Sequence, residues 1–528
     1  MRDAVSAARR KAALFSLSDR SGSAELARAL DQHGFEIYAT SGTQAYLNES
    51  GIRARSIEEI TGFPALFSGR VKTLHPKIFG AILYDRADDE HVAAAEKYAI
   101  PEIAAVVVNL YPFEETVARP GATVSEALEQ IDIGGVALLR AAAKNFEHVA
   151  VLTHPSQYDE FAAAIGSGEV PLALRRRLAV AAFERTAEYD VAISHYLAAA
   201  GEVLPSELPG ALALTLPLAK QLRYGTNPQE RAAFYLDRPQ LLPVQFHGKA
   251  LSYNNLLDLD ATLRLLSRAP LGAEFGSDRA RFVRAAVVKH TIPCGVAQRS
   301  SVGLAVREAL EADPTSAYGG IVAADAAIDA QAAQALNQYF LEIVAAPAFD
   351  ADALEILKKK RNLRIMQFAR SVPDELAHEL RLRSALGGVL AENDDPSAPA
   401  EEWSVVSRSR PTTQQWHDLA FAWDVVRHVK SNGIVIVKGG TTRGICAGQT
   451  NRVSAVRIAT FRAGEHASGA ACASDGFFPF ADGLEAAVAG GCTAIIAPRG
   501  SIRDTEVIAA ADRLDVALVF STYRYFLH

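Results

Sequence analysis

An alternation at the start of the chain limits its fold more than any other feature. AALFSLS at residues 12–18 reads as a strand, SDRSG turns into a helix with Leu26, Ala29 and Leu30 on one face, FEIYAT is a second strand, and SGT opens another helix. Strand, small polar turn and helix, twice over, begin a doubly wound α/β domain, because each element buries its apolar face against the next layer. The turns place Ser16, Ser18, Ser41 and Thr43 where helix N-termini offer backbone N–H groups to phosphate.

Three later stretches in this region carry candidate chemistry. GRVKTLHPKIFG at residues 69–80 concentrates cations, a threonine and a histidine in what reads as a loop broken by Pro76. The chain's net charge is −7, so a local cationic cluster points to a small anionic ligand, whereas the overall charge gives no footprint for nucleic acid. AAVVVNLYPF at 104–113 is an apolar strand ending in Asn109 and Tyr111, and IDIGGVALLRAAAKNF at 131–146 sets Asp132 before a glycine pair and a helix that carries Lys144. Asp132 also suits an N-cap and Lys144 a solvent-facing helix position. The alanine-rich run at 171–200 reads as helix, and the proline-rich 201–220 as an interdomain connection. Two or three domains are expected from 528 residues: 1–200, then 221–528 with an internal break near 375–400.

In the second region FVRAAVVKH at 282–290 reads as a buried parallel strand that delivers Lys289 and His290 into a turn marked by Pro293 and Gly295. Histidine takes a proton near neutral pH, and a neighbouring ammonium keeps it neutral and stabilises an oxyanion. The bland alternative is a surface basic dipeptide. VKSNGIVIV at 429–437 echoes this strand, with SDGFFPF following it much as TSAYGG follows KHTIPCG, which suggests an internal duplication. The four cysteines at 294, 446, 472 and 492 show no CxxC spacing, which fits a reducing cytoplasm; neither a signal peptide nor a membrane span is expected.

These motifs, taken in order, resemble the bifunctional enzymes that join phosphoribosylaminoimidazolecarboxamide (AICAR) formyltransferase to IMP cyclohydrolase. The resemblance runs from SLSDRSG, SGT, GRVKTLHPKIFG, NLYPF and IDIGGVALLRAAAKNF through LRYGTNP, SYNNLLDLDA, KHTIPCGVA, SAYGGIVA, VKSN, CAGQTNR, SDGFFPF and GSIRDTEVI. It implies a methylglyoxal-synthase-like first domain that closes the formylated intermediate to IMP. Ser16, Ser18, Arg20, Thr40, Ser41, Gly42, Thr43, Arg70, Thr73 and Asn109 match nucleotide-binding positions, and Lys72, Tyr111, Asp132 and Lys144 the ring-closure positions, with Lys144 favoured as the acid.

The same resemblance implies a pair of cytidine-deaminase-like α/β subdomains that transfer a formyl group from 10-formyltetrahydrofolate to the 5-amino group of AICAR. His290 matches the base, Lys289 its partner and Asn432 an oxyanion donor; Arg223, Tyr224, Asn255, Gly319, Glu342, Arg452, Phe477, Phe480, Asp482 and Arg524 match substrate or folate positions. A homodimer with shared transformylase sites and no catalytic metal are implied; a supporting monovalent cation stays open. Arg20, Gln229, Ile292, Glu342, Cys446 and Arg499 depart from the usual family residues; at Arg20, where the family usually has lysine, the charge survives, but Arg and Lys are not interchangeable at a phosphate.

Two competing readings are a silent purine-nucleotide sensor and a zinc nucleobase deaminase. The second needs HxE and PCxxC. Here Ala297 takes the second cysteine position and no histidine is followed by x-Glu.

Overall fold

The computed structural model describes residues 10–200, 208, 210–236, 238–267, 282–393 and 403–528. It divides into two units, residues 1–215 and 216–528. Residues 201–207 and 209 of the expected connection, and 394–400 of the expected internal break, lie outside the described residues.

The first unit is built on five strands: β1 (Lys11–Ser16), β2 (Glu36–Ala39), β3 (Ala54–Ser56), β4 (Glu102–Val108) and β5 (Ala150–Leu152). Their order is β3-β2-β1-β4-β5 and every pairing is parallel. Parallel strands are covered on both faces, which is why β1 and β4 read as continuous apolar runs. Leu26, Ala27 and Leu30 of the helix Ser23–Gln32 are buried, and Ala29 is half-buried. Pro76 does not break a loop: it opens the helix Pro76–Leu83, with the His75 ring accepting from the Lys77 N–H, a first-turn position where the missing proline N–H costs nothing. The run at 171–200 forms the helix Leu172–Ala200.

The second unit holds β6 (Leu218–Leu222), β7 (Ala232–Tyr235), β8 (Val244–His247), β9 (Val283–Lys289), β10 (Ile292–Arg299), β11 (Gly320–Ala324), β12 (Leu341–Ala346), β13 (Arg364–Gln367), β14 (Leu380–Ala385), β15 (Gly388–Asn393), β16 (Ser404–Val405), β17 (Ile434–Lys438), β18 (Thr441–Cys446), β19 (Ala471–Ser474), β20 (Ala494–Pro498) and β21 (Ala517–Ser521). β6 pairs with β7 and β14 with β15; the other twelve form one sheet, in the order β16-β21-β20-β19-β17-β18-β10-β9-β11-β12-β13-β8.

That order is the same on either side of the β10–β18 seam, so the internal duplication is a property of the fold. Each half has an antiparallel hairpin, three mutually parallel strands beyond it and an antiparallel outermost strand. Its register differs from the one expected from sequence. Lys289 ends β9 as Lys438 ends β17, so the counterpart of Lys289–His290 is Lys438–Gly439 and not Lys430–Asn432. A Cβ on Gly295 would strike the carbonyl of Ala309, and one on Gly444 the carbonyl of Ala459. Both glycines therefore mark the same close approach of helix to strand.

Two further expectations are corrected. β9 is buried, but it pairs antiparallel with both β10 and β11. Pro293 and Gly295 lie inside β10, and the turn is His290–Thr291. Proline and glycine are tolerated there because the register of β10 against β9 shifts between Pro293 and Gly295.

Alternation along the strands fills separate cores. Ala286, Val288, Val435 and Val437 share one cluster with the helix Thr413–Val426, whereas Ala285 and Val287 face a second and Ile434 and Ile436 a third. Among the described residues no helix is long and apolar enough to cross a membrane.

Candidate active sites

In the first unit a cavity of about 670 Å³ gathers Ser16, Arg70, Lys72, Thr73, Tyr111 and Asp132. Strand ends and a helix start build it: Ser16 ends β1, Tyr111 follows β4, and Asp132 stands before the helix Gly134–Lys144. Lys72 Nζ lies 3.5 Å from the Tyr111 hydroxyl. Asp132 Oδ1 accepts the Gly135 N–H at 2.7 Å. Burial pushes the Asp132 carboxyl above the usual range, against the pull of that N–H, the Lys72 charge and the Tyr111 N–H. A carboxylate whose proton affinity is raised by burial, beside an ammonium, is suited to proton transfer. Arg70 is paired with Glu129 at the same cavity, both well exposed.

The other nucleotide-binding candidates form a contiguous cradle beside Ser16. Asn109 Oδ1 accepts the N–H groups of Ser18 and Asp19 at 2.6 and 3.1 Å, and its Nδ2 donates to the Asp19 carbonyl at 2.6 Å. Thr43 Oγ1 accepts the Leu17 N–H at 3.0 Å, and Thr40 Oγ1 lies 3.5 Å from Ser16 Oγ. Thr40 and Thr43 are buried, so their hydroxyls knit one strand-end turn to the next. Ser41 and Gly42, at the start of the helix Ser41–Glu49, are exposed, and a Cβ on Gly42 would touch the Arg20 guanidinium at 3.0 Å.

Lys144 is set apart from this group. It is exposed and ends the eleven-residue helix whose first turn borders the cavity, about 15 Å along the axis at 1.5 Å per residue. Lys72 lines the cavity and Lys144 does not.

Tyr189 escaped sequence reasoning altogether. It is fully buried on the helix Leu172–Ala200, its hydroxyl donating to the Gln130 carbonyl at 2.6 Å and accepting the Asp132 N–H at 2.9 Å. One phenol thus fixes the segment bearing Asp132 from both sides. Burial pushes its hydroxyl up to about 12, so it stays a neutral donor. Its partners are 57 and 59 residues away, and no local pattern announces that contact.

In the second unit a cavity of about 520 Å³ is lined by Lys289, His290, Cys294, Asp313, Gln449 and Arg462 among others. Lys289 Nζ donates to the Tyr318 carbonyl at 2.7 Å, next to Gly319. Lys438 does the same to Ser468 at 2.7 Å in the other half. The hairpin turns differ in composition. His290 and Thr291 have φ of 56° and 60°, and Gly439 and Gly440 have 61° and 71°. The left-handed region costs a residue with a side chain roughly 1–2 kcal/mol and glycine nothing. Both turns are tied down by an aspartate: Asp258 accepts the N–H groups of His290 and Thr291 at 3.3 and 2.7 Å, and Asp418 those of Gly439 and Gly440 at 2.9 and 2.7 Å.

The remaining candidates are spread over both halves. Asn432 donates from its backbone N–H and Nδ2 to the carbonyl of Gln449, at 2.9 and 2.8 Å, and so lies beside the cavity wall. Arg452 is paired with Asp475 and donates to Ser474 Oγ at 2.9 Å; a Cβ on the intervening Gly476 would strike Arg452 and Phe526. The Arg524 guanidinium covers the Phe526 ring at 4.8 Å. Phe477 is half-buried, and Asp482 is exposed on the helix Ala481–Ala489. Exposed Phe480 is covered by Arg503 at 4.7 Å. Arg223 donates to the Tyr224 hydroxyl at 3.1 Å. Asn255 is committed to a helix cap, its Oδ1 accepting the Ser252 N–H at 3.1 Å, and Glu342 pairs with Arg364 at 2.7 Å.

Cys294 is half-buried against an apolar cluster, and burial pushes its thiol up to about 12. Among the described residues no three His, Cys, Asp or Glu side chains stand together as a metal site.

A parallel-sheet unit with a cationic, carboxylate-bearing cavity and a duplicated unit with a Lys–His turn define a two-unit α/β enzyme with separate sites. The AICARFT/IMPCHase bienzyme family matches residues 142–462, and the MGS-like domain matches 22–137. The bifunctional purine biosynthesis protein PurH of Prochlorococcus marinus (strain MIT 9303) is 46% identical over 520 residues, spanning 98% of this chain and 99% of its own. The proteins of the same name from Synechococcus sp. (strain CC9605) and Desulfitobacterium hafniense (strain DSM 10664 / DCB-2) are 46% and 45% identical over 522 and 528 residues, with the same coverage. The chain belongs to the AICARFT/IMPCHase bienzyme family, and it is an AICAR formyltransferase and IMP cyclohydrolase of purine biosynthesis. The sensor and deaminase readings find no support in these relatives.

Proposed function

We propose that the first unit closes the ring of the formylated intermediate in the cavity holding Lys72, Tyr111 and Asp132. The carboxamide nitrogen attacks the formyl carbon, Asp132 orients the amide and takes its proton, and Lys72 with Tyr111 stabilises the oxyanion. That oxygen then takes up two protons, matching one N–H proton lost from the carboxamide and one from the formamido nitrogen, as the C–O bond breaks and water leaves. Ser16, Ser18, Arg20, the Thr40–Thr43 turn, Arg70, Thr73 and Asn109 hold the ribonucleotide. The observation that carries this reading is the convergence of six expected residues on one cavity.

The second unit transfers the formyl group of 10-formyltetrahydrofolate, its co-substrate, to the 5-amino group of AICAR. That amine is a poor nucleophile because its lone pair is delocalised into the ring, so proton removal during attack is central. His290 takes the proton, the new C–N bond forms, the bond to the folate nitrogen breaks, and Lys289 assists that nitrogen's departure. Asn432 donates to the oxyanion. Arg223, Tyr224, Asn255, Gly319, Glu342, Arg452, Phe477, Phe480, Asp482 and Arg524 supply the substrate and folate contacts.

By the family resemblance the enzyme works as a homodimer with shared transformylase sites. The same reading puts the enzyme in the cytoplasm, with residues 1–200 and 221–528 as its domains and the halves of the second as deaminase-like subdomains. Following tetrahydrofolate and IMP together by chromatography tests it: both form if the assignment holds, and neither forms from a protein that only binds the nucleotide.

A further inference from the structure

We infer that Asp258 is the positioning residue that holds His290 in its working conformation. The inference rests on the assignment of His290 as the base. The duplication supplies the argument. An aspartate on the first helix of each half accepts both N–H groups of the hairpin turn, Asp258 for His290 and Thr291, Asp418 for Gly439 and Gly440. In the second half the turn is glycine at both positions, so its backbone reaches the left-handed region without strain. In the first half the same backbone is imposed on a histidine and a β-branched threonine, the residue type least suited to positive φ. Strain of this kind persists where the surroundings over-determine it and the side chain has a task.

The contacts around the turn over-determine that backbone. Asp258 bonds the turn at two points, the Thr291 hydroxyl donates to the His290 carbonyl at 2.7 Å, and Lys289 is tethered to the Tyr318 carbonyl at 2.7 Å. Asp258 is half-buried, is not among the residues lining the cavity, and its hydrogen bond to His290 is to the backbone N–H. It acts by fixing where the imidazole starts, and a misplaced base loses rate more than binding.

The second half provides the control. Asp258→Ala and Asp418→Ala delete matching hydrogen bonds and are compared in the full-length enzyme for thermal stability, formyl transfer and cyclisation of supplied intermediate. Asp258→Ala is expected to lower kcat for transfer about 10- to 100-fold with KM for AICAR and folate within about threefold, and to leave cyclisation unchanged. Asp418→Ala is expected to lose comparable stability while transfer stays within about threefold. Asp258→Asn keeps an acceptor oxygen and recovers part of the rate; it also carries the test if the alanine variant does not fold. Equal losses of transfer in the Asp258 and Asp418 variants, or a fall confined to KM, would overturn the inference. Full transfer by His290→Ala, measured alongside, would overturn the underlying assignment instead.

Discussion

The two units concentrate their chemistry by different routes. In the first, parallel strands send Ser16 and Asn109 to the same edge as the turn after β2, and the start of one helix adds Asp132. Parallel order does this automatically, since every strand delivers its end to one side. In the second, two copies of one half meet at an antiparallel seam, and the candidates divide between them: Lys289 and His290 on one, Asn432, Arg452 and Arg524 on the other. Duplication gives two equivalent turns, and in the proposed reaction only the His290–Thr291 turn carries catalytic side chains. A parallel sheet thus assembles a site within one copy, whereas a duplicated fold can let equivalent turns diverge and draw a site from both copies.

The sharpest way to break this comparison is to remove one site's chemistry and watch the other. His290→Ala should lower formyl transfer about 10³-fold and leave cyclisation of supplied intermediate within about twofold. Lys72→Met should do the reverse, losing about 10²-fold in cyclisation. Initial rates for each reaction settle both. Coupled losses would mean the sites are not separate.

A smaller effect tests how the first site is held. Tyr189→Phe removes the hydroxyl between the Gln130 carbonyl and the Asp132 N–H while keeping the ring against Phe113. It should cost about 1–3 kcal/mol of stability and roughly tenfold in cyclisation, with transfer untouched. Calorimetry and initial rates measure the two parts. The duplication makes its own prediction: Gly295→Ala and Gly444→Ala meet matching carbonyls and should each cost about 1–3 kcal/mol. Denaturant melts that gave very different losses would count against equivalent packing.

The smallest expected effect concerns pH. Burial raises the Asp132 carboxyl, so the folded chain resists its ionisation. The stability this carboxyl contributes is full below the ordinary carboxylate range and is lost as pH rises through the raised value. Asp132→Asn, which can still accept the Gly135 N–H, should raise Tm by a few degrees at neutral pH and leave it unchanged at low pH, while cyclisation falls. An equal Tm shift at both pH values would contradict the burial argument.

Much of this was legible in the sequence where the signal is local. The strand–turn–helix repeat, the apolar β4 and the helix at 172–200 follow from periodicity, and Arg70, Lys72 and Thr73 from charge gathered in a few residues. What stayed hidden depends on pairing. The seven-residue strand β9 reads the same whether its neighbours are parallel or antiparallel. Proline and glycine in IPCGVAQR resemble a turn unless the register shift against β9 is known. The duplication was visible, but matching VKSN to VKHT gave the wrong register, because the true counterpart of a histidine and a threonine is a glycine pair. Asp258 and Tyr189 act through backbone contacts 32 to 59 residues away, which no spacing encodes.

The most direct test of separate sites on one chain is complementation. Lys72→Met and His290→Ala proteins are given AICAR and 10-formyltetrahydrofolate, singly and mixed, and tetrahydrofolate and IMP are followed together. The account predicts tetrahydrofolate without accelerated IMP from the first, neither product from the second, and both from the mixture. Sustained formyl transfer by His290→Ala alone, or a mixture that makes no IMP, would contradict it.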